Sequence, residues 1–358
     1  MTRSRARTTR ALPPQSAGTQ EATDTRTPTV RLAEVAALAA TSVPTVSKVL
    51  NGRPGVSEST RRRVLTALAE LGAPARPRRP RRSHLLSLRV DNLDGPWFQE
   101  LVRGVVHAAS EEDLEVVVST GTPHEFDTWV AHSLQRGALA LLCAVGLPST
   151  RAIDLASGAG VPVIAIDPWR PTPELATVTC DHRAGAQVAT EHLLALGHRR
   201  IAFLGGPPAL ANAQLRLEGF LRSMHEAGVA VEPDLLRAGR YTVACGYRAG
   251  QYFLALPEAP TAVFAASDDS AVGLLRALRE AQVAVPGGMS VVGFDNLPTA
   301  RWSEPALTTV HQPIEELGVR AVADALDLAQ RAPASQEQLP RVVLPTRLIT
   351  RETTAPPT

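Results

Sequence analysis

"RLAEVAALAATSVPTVSKVLNGRPGVSESTRRRVLTALAELG", residues 31–72, is the stretch on which the fold turns. Leu32, Val35, Ala36 and Ala39 recur at helical spacing on one face, and "TS" at 41–42 then breaks the pattern. Ser42 predicts an N-cap for a second helix running to Asn51, with Pro44 in its first turn, where a missing N–H is tolerated. "NGRPG" reads as a loop. Ser57 then caps a third helix whose apolar positions Val64, Leu65, Leu68 and Leu71 end at Gly72. Two short helices joined by a tight turn and braced by a third form a helix-turn-helix unit, whose second helix fits a major groove about 12 Å wide. Periodicity alone leaves a plain helical cap as the rival.

Charge adds a second observation. Residues 1–83 carry 16 basic against 5 acidic side chains, the remainder 21 against 30, so a head of +11 precedes a body of −9. A basic head on an acidic body is suited to a polyanion at one end only. The chain has 358 residues, enough for two or three folding units. No run approaches the ~18 apolar residues of a membrane span and the N-terminus lacks a signal-peptide core, so a cytoplasmic protein with no membrane partner is expected. Cys143, Cys180 and Cys245 are far apart beside apolar residues, which suits small core hydrophobes in a reducing compartment.

Residues 1–28 read as a disordered basic tail, 29–72 as the helix-turn-helix domain and 73–84 as a linker. Within "GAPARPRRPRRSHLL" (72–86), Pro74, Pro77 and Pro80 recur every third residue and suit a polyproline form with ~3 residues per turn. That form sets Arg76, Arg79 and Arg82 along one edge and Arg78 and Arg81 along another. Arg78, Arg79, Arg81 and Arg82 are candidates to track phosphates or enter a narrow minor groove, with a solvated spacer as the equal alternative.

From 85 to 350, short apolar runs alternate with amphipathic stretches. "LLSLRV", "EVVVST", "ALALLCAV", "VPVIAI", "RIAFLGG", "TAVFAAS" and "MSVVGFD" predict buried parallel strands, with helices such as 96–112 and 183–197 between them. The fold class is therefore an all-α head plus a doubly wound α/β body. Its length predicts two lobes, 85–165 with 298–330 and 166–297 with 340–350, followed by one strand after Pro340 and a tail at 351–358.

With these runs in view, residues 31–72, and "TVSKVLNG" above all, resemble the head of the lac repressor (LacI/GalR) family of transcription factors. "DHRAGAQVATEHLLALGHRRIAFLGGP" (181–207), "RLEGF" (216–220), "TAVFAASDDSAVGLLRALRE" (261–280) and "SVVGFDNLP" (290–298) extend the likeness over residues 30–350. The resemblance implies a sensor body like periplasmic sugar-binding proteins. It also assigns base-reading positions to Val43, Pro44 and Lys48, and positions near phosphates to Ser42, Thr45, Ser47 and Asn51. Lys48 is the only lysine in the chain. A solvated helix face is its bland alternative, whereas Val46 and Val49 face the core. The sequence departs from the family at Arg31, where a capping Thr or Ser is usual, at Ala40 and Thr41, which replace a Gly-Val turn, and in the linker, which lacks the family's leucine-bearing hinge helix.

A pyranose or a nucleoside presents hydroxyls around a partly apolar ring, so its site needs bidentate donors, carboxylate acceptors and an aromatic face at the C-terminal ends of strands. Trp97 and Phe98, Asp167 and Trp169, Ser267 and Asp268, and Asp295 follow predicted strands, and Arg216 and Tyr241 match family positions that bind and stack on effector. Arg216 paired with a surface carboxylate and Phe98 as core are the competing readings, and Ser267 stands where the family commonly has Asn. His198 reads as structural. "LGGPP" (204–208) lacks the spacing of a phosphate loop, and no catalytic or metal-binding motif occurs, so no cofactor is expected. The expectation is a homodimeric repressor of a near-palindromic operator, controlled by a mono- or oligosaccharide and located at the nucleoid. A free-standing cytoplasmic sugar receptor and a sugar-modifying enzyme on the same fold are the alternatives.

Overall fold

The computed structural model describes residues 32–50, 55–71, 84–331 and 338–358. The chain divides after Arg81 into two units. The expected tail 1–28, Arg31, Asn51, Gly72 and the linker arginines Arg78, Arg79, Arg81 and Arg82 lie outside the described residues.

The first unit holds α1 (Leu32–Leu38), α2 (Val43–Leu50) and α3 (Glu58–Glu70). Val35, Ala36, Ala39, Val46, Val49, Val64, Ala67 and Leu68 share one core. Ser42 caps α2, its hydroxyl accepting from the Thr45 N–H at 3.4 Å, and Ser57 caps α3 through the Thr60 N–H at 3.3 Å. Two expected core positions are corrected: Leu32 and Leu65 are 42% and 37% exposed, because each lies a helical step off the buried stripe. Ala67 fills the place expected of Leu65.

The α1–α2 turn contains exposed Ala40 at φ 46°, in the left-handed region where a Cβ is penalised. Ala40→Gly relieves that penalty without removing a packed side chain. The expected gain is about 1 kcal/mol, read as roughly fivefold slower amide exchange in α1 and α2 of the whole chain. Unchanged or faster exchange would show that the turn carries no strain.

The second unit begins with β1 (Leu85–Arg89), α4 (Pro96–Glu111), β2 (Glu115–Ser119), α5 (Phe126–Gln135), β3 (Ala140–Ala144), α6 (Thr150–Gly158), β4 (Val163–Ile166) and β5 (Ala176–Cys180). The chain then crosses to a second lobe: α7 (His182–Ala195), β6 (Ile201–Leu204), α8 (Ala211–Glu226), β7 (Leu236–Arg237), α9 (Val243–Leu254), β8 (Ala262–Ala265), α10 (Asp268–Glu280), β9 (Ser290–Asp295), α11 (Pro298–Trp302) and β10 (Thr308–His311). It returns with α12 (Ile314–Gln330) and β11 (Arg341–Leu344) to the first lobe and ends with β12 (Arg347–Ile349) in the second.

Each lobe is a six-stranded sheet, ordered β2-β1-β3-β4-β5-β11 and β7-β6-β8-β9-β10-β12. All pairs are parallel except β10 with β12. Both faces of each sheet are covered, by α4 and α12 against α5 and α6 in the first lobe, and by α9 and α10 against α7 and α8 in the second. Double coverage explains why the core strands read as continuous apolar runs.

The expected lobe limits are corrected. β5 belongs to the first lobe and the first crossover falls at Asp181, not near 166; residues 298–311 belong to the second. The segment after Pro340 forms two short strands, one in each sheet. The expected tail is packed as well. Thr353 is fully buried and held against β9, where the Val291 N–H donates to its carbonyl at 2.8 Å and its hydroxyl donates to the Val291 carbonyl at 2.6 Å. His198 is structural, as expected: buried, with its ring nitrogens 2.9 Å from the Thr261 hydroxyl and the Ala355 carbonyl.

Candidate ligand cleft and nucleic-acid interface

Parallel strands of both sheets end on one cavity of about 580 Å³ between the lobes, within the ordinary range of small-molecule sites. Helix packing sets its walls. Gly95 and Pro96 start α4 and bring Trp97 and Phe98 to the first-lobe side, edge to face with centroids 5.1 Å apart. In the second lobe, Gly206 leaves room for Tyr241: a Cβ there would lie 2.0 Å from the phenol ring. The second glycine of "LGGPP" therefore seats an aromatic wall.

Arg216, 3% exposed on α8, is the centre of the site. Its Nη1 donates to the Ala266 carbonyl at 2.5 Å, Nη2 to Gln312 Oε1 at 3.1 Å and Nε to His182 Nδ1 at 3.3 Å. The guanidinium carbon lies 3.7 Å from the Phe294 ring centroid and 5.4 Å from that of Tyr241. Asp295 Oδ1 stands 3.3 Å from Nη1 as an ion pair, yet accepts no hydrogen bond among the described residues. Burial pushes the Asp295 carboxyl up, Arg216 pulls it down, and the balance with nearby Asp269 and Asp167 leaves it at about 7. Asp295 thus keeps an acceptor free at the cavity wall.

Asp167 joins the lobes. From the end of β4 it accepts from Thr179 Oγ1 at 2.8 Å and meets His182 Nε2 at 2.6 Å, and Asn212 Nδ2 of α8 donates to its other oxygen at 3.1 Å. Burial opposes its charge, but these contacts override burial and hold the carboxyl well below the ordinary carboxylate range. Tyr241 donates to Asn212 Oδ1 at 3.3 Å; burial pushes its phenol up to about 12, so it remains a neutral donor.

Of the residues expected here, Trp97, Phe98, Asp167, Arg216, Tyr241, Ser267 and Asp295 line the cavity. Two do not. Asp268 is fully buried behind the wall, accepting from the Leu297 N–H at 2.7 Å and from Thr309 Oγ1 at 2.5 Å, because the first turn of α10 points it into the protein. Its neighbour Asp269 faces the cavity instead. Trp169 is 41% exposed outside the wall, with Arg170 5.7 Å above its ring; only its backbone serves the cleft, accepting from the Ala211 N–H at 2.8 Å across the lobes. Ser267 lines the cavity but its hydroxyl caps α10 and accepts from the Ser270 N–H at 3.2 Å. Phe98 does both things expected of it, facing the cavity and packing on the first-lobe core.

Sequence reasoning missed Asp91, Asn92, Asn212 and Asp269, all on the wall. Asn212 lies four residues before Arg216, one helical turn, so helical spacing held a signal for it. Asp91 and Asn92 directly follow the first strand, as the strand-end rule used for the other candidates requires.

In the head, Ser42, Val43, Pro44 and Lys48 are exposed along α2, Thr45 and Ser47 are half-buried, and Val46 and Val49 are buried as expected. The Ser42 and Thr45 hydroxyls lie 2.9 Å apart at the helix N-terminus. A backbone N-terminus with small hydroxyls suits a phosphate, and a lone exposed cation one turn further along suits a base edge. Among the described residues no helix is long and apolar enough to cross a membrane, and no side-chain group could hold a metal ion.

Residues 31–72 match the model of bacterial regulatory proteins of the lacI family, and 190–354 match a periplasmic binding protein-like domain. The chain is 34% identical over 341 residues to the HTH-type transcriptional regulator reg1 of Streptomyces lividans, spanning 91% of this chain and 97% of the relative. The structure of the transcriptional regulator CelR with cellobiose is similar at 31% identity and a TM-score of 0.69, over 90% of this chain and 99% of that one. The lac repressor dimer bound to operator and the anti-inducer ONPF is similar at 29% identity and a TM-score of 0.68, over 91% and 99% of the two chains.

Proposed function

Because the chain belongs to the lacI family of bacterial regulatory proteins, we propose that it acts as a homodimeric repressor whose operator affinity is set by a saccharide in the inter-lobe cleft. It is a DNA-binding transcriptional regulator controlled by an effector. Two heads read the half-sites of a near-palindrome at the nucleoid, with Lys48, Val43 and Pro44 toward base edges and Ser42, Thr45, Ser47 and Asn51 toward phosphates. The linker arginines add phosphate contacts.

One observation carries the saccharide reading: the buried Arg216–Asp295 pair presents a free carboxylate acceptor beside Trp97, Phe98 and Tyr241. Hydroxyls of a sugar ring satisfy the polar groups while its apolar face covers an aromatic ring. The relative CelR is known with cellobiose bound, which supports a sugar of this kind. Effector and operator then change each other's affinity by the same factor. The relatives named above are transcriptional regulators.

The test is binding to the DNA upstream of its own gene against random DNA over a salt series, followed by mono- and disaccharides. Salt-sensitive preference for the upstream DNA, altered by one saccharide, is expected; no such preference would sink the reading. Lys48→Ala is expected to cost about 1–3 kcal/mol of operator affinity and to relax discrimination at one base position. Uniform weakening across all sequences would move Lys48 to the phosphates.

A further inference from the structure

Three crossovers join the lobes: Asp181 between β5 and α7, Gln312 and Pro313 between β10 and α12, and Pro345 and Thr346 between β11 and β12. Two of them contribute a buried polar side chain to the same guanidinium. His182, directly after the first crossover and 1% exposed, contacts Arg216 Nε; Gln312, in the second and also 1% exposed, contacts Nη2.

The donor logic at both contacts is fixed. Arg216 has only N–H donors, so His182 Nδ1 accepts from it and Nε2 carries the proton toward Asp167. Gln312 Oε1 faces two donors, Arg216 Nη2 at 3.1 Å in the second lobe and Trp97 Nε1 at 3.3 Å in the first, while its Nε2 has no partner among the described residues. One carbonyl oxygen therefore holds together an α8 cation and an α4 indole from opposite lobes. Its backbone is held too, the Gln312 N–H donating to the Asp295 carbonyl at 3.2 Å. Any movement of the Arg216 guanidinium acts on the two crossovers without an intervening residue.

We propose that His182 and Gln312 are positioning residues that convert occupation of Arg216 into a change of lobe angle. This rests on the cleft being the effector site. A ligand hydroxyl bound to Arg216 either competes with Gln312 or reinforces it, and the two outcomes favour different angles. That differential contact is what an effector must have in order to shift a two-state equilibrium. The orphaned Gln312 Nε2 gives the amide a reserve donor for the alternative arrangement.

Double electron–electron resonance on the full chain tests this without any effector. Spin labels on exposed Asp154→Cys in the first lobe and Asp234→Cys in the second, in a Cys245→Ser background, report the inter-lobe distance. Gln312→Met, close in size but without an acceptor, is expected to shift or broaden the distance distribution. Gln312→Glu, which keeps the acceptor, is expected to retain the wild-type distribution. Trp97→Phe keeps an aromatic ring, though a smaller one, while removing the indole N–H arm, and is expected to move the distribution in the direction of Gln312→Met; it also serves if the methionine variant does not fold. In operator binding, the ratio of dissociation constants with and without saccharide is expected to fall at least tenfold in Gln312→Met, and the effector-free constant to depart from wild type along with the lobe distance. Wild-type distances in Gln312→Met and Trp97→Phe, or an undiminished ratio, would overturn the proposal. A wild-type protein that answers no saccharide would refute the effector assignment instead, leaving the distance result to decide the role of Gln312.

Discussion

Arg216→Ala is expected to destabilise the two-lobed unit by about 3–5 kcal/mol and to abolish the effector response, the largest effect of any single substitution considered. The alanine leaves a cavity against the Phe294 ring and strips donors from the Ala266 carbonyl, Gln312 and His182 together. The cost comes from the cavity and from buried polar groups left without partners, since Asp295, raised further once the guanidinium is gone, takes up a proton. Urea unfolding followed by far-UV dichroism reads the loss, and calorimetric titration with the saccharide reads the binding. Arg216→Lys keeps the charge but cannot reproduce a planar set of donors, so it falls between alanine and wild type. Stability within about 1 kcal/mol of wild type would mean that the network around Arg216 is not cooperative.

The second large effect is a dependence on pH. Burial raises the Asp295 carboxyl from 3.8 to about 7 despite Arg216, so the folded protein holds this proton more tightly than the unfolded chain does. The associated stability is full below about pH 4 and is lost as pH rises through about 7, roughly 4 kcal/mol from a shift of about three units. Asp268 is raised too, chiefly by burial and then by Asp295, so it acts in the same direction. Effector affinity runs the opposite way. A sugar hydroxyl donates best to the ionised carboxylate, so affinity rises as pH climbs through 7 and binding releases a proton. Unfolding midpoints at pH 5 and pH 8, with titrations in buffers of different ionisation enthalpy, measure both; equal midpoints, or Asp295→Asn with an unchanged pH profile, would remove Asp295 as the source.

Six of the seven apolar runs were legible because strands buried on both faces carry no polar alternation to obscure them; the seventh, expected to be buried, is β2, a half-exposed edge strand. β5 and β10 were not. β5 alternates Thr177 and Thr179 with buried Ala176, Val178 and Cys180, and β10 buries Thr308 and Thr309 entirely. Those hydroxyls are satisfied by residues far away in sequence, Thr308 Oγ1 by the Arg351 N–H and Thr309 by Asp268, so they look like loop threonines until the fold is known. The same long-range contacts explain the lobe limits and the packed C-terminal segment. At the site, strand ends pointed to the right places but not to the register that follows them. Asp268 and Asp269 differ by about 100° around a helix, which reverses inside and outside. Trp169 was an aromatic at the right position whose backbone, not its ring, does the bridging.

The cleft is ringed by residues with left-handed backbones: Val145 at φ 62°, Asp167 at 46°, Tyr241 at 57° and Asp295 at 111°. None is glycine, and such conformations cost of order 1–3 kcal/mol each unless the surroundings impose them. Selection for heat resistance would therefore find its easiest gains at the cleft, by relaxing these positions to glycine or asparagine. Each such gain would erase a wall of the sensor, so robustness and responsiveness draw on the same few residues, and a hardened variant is expected to become a deaf one.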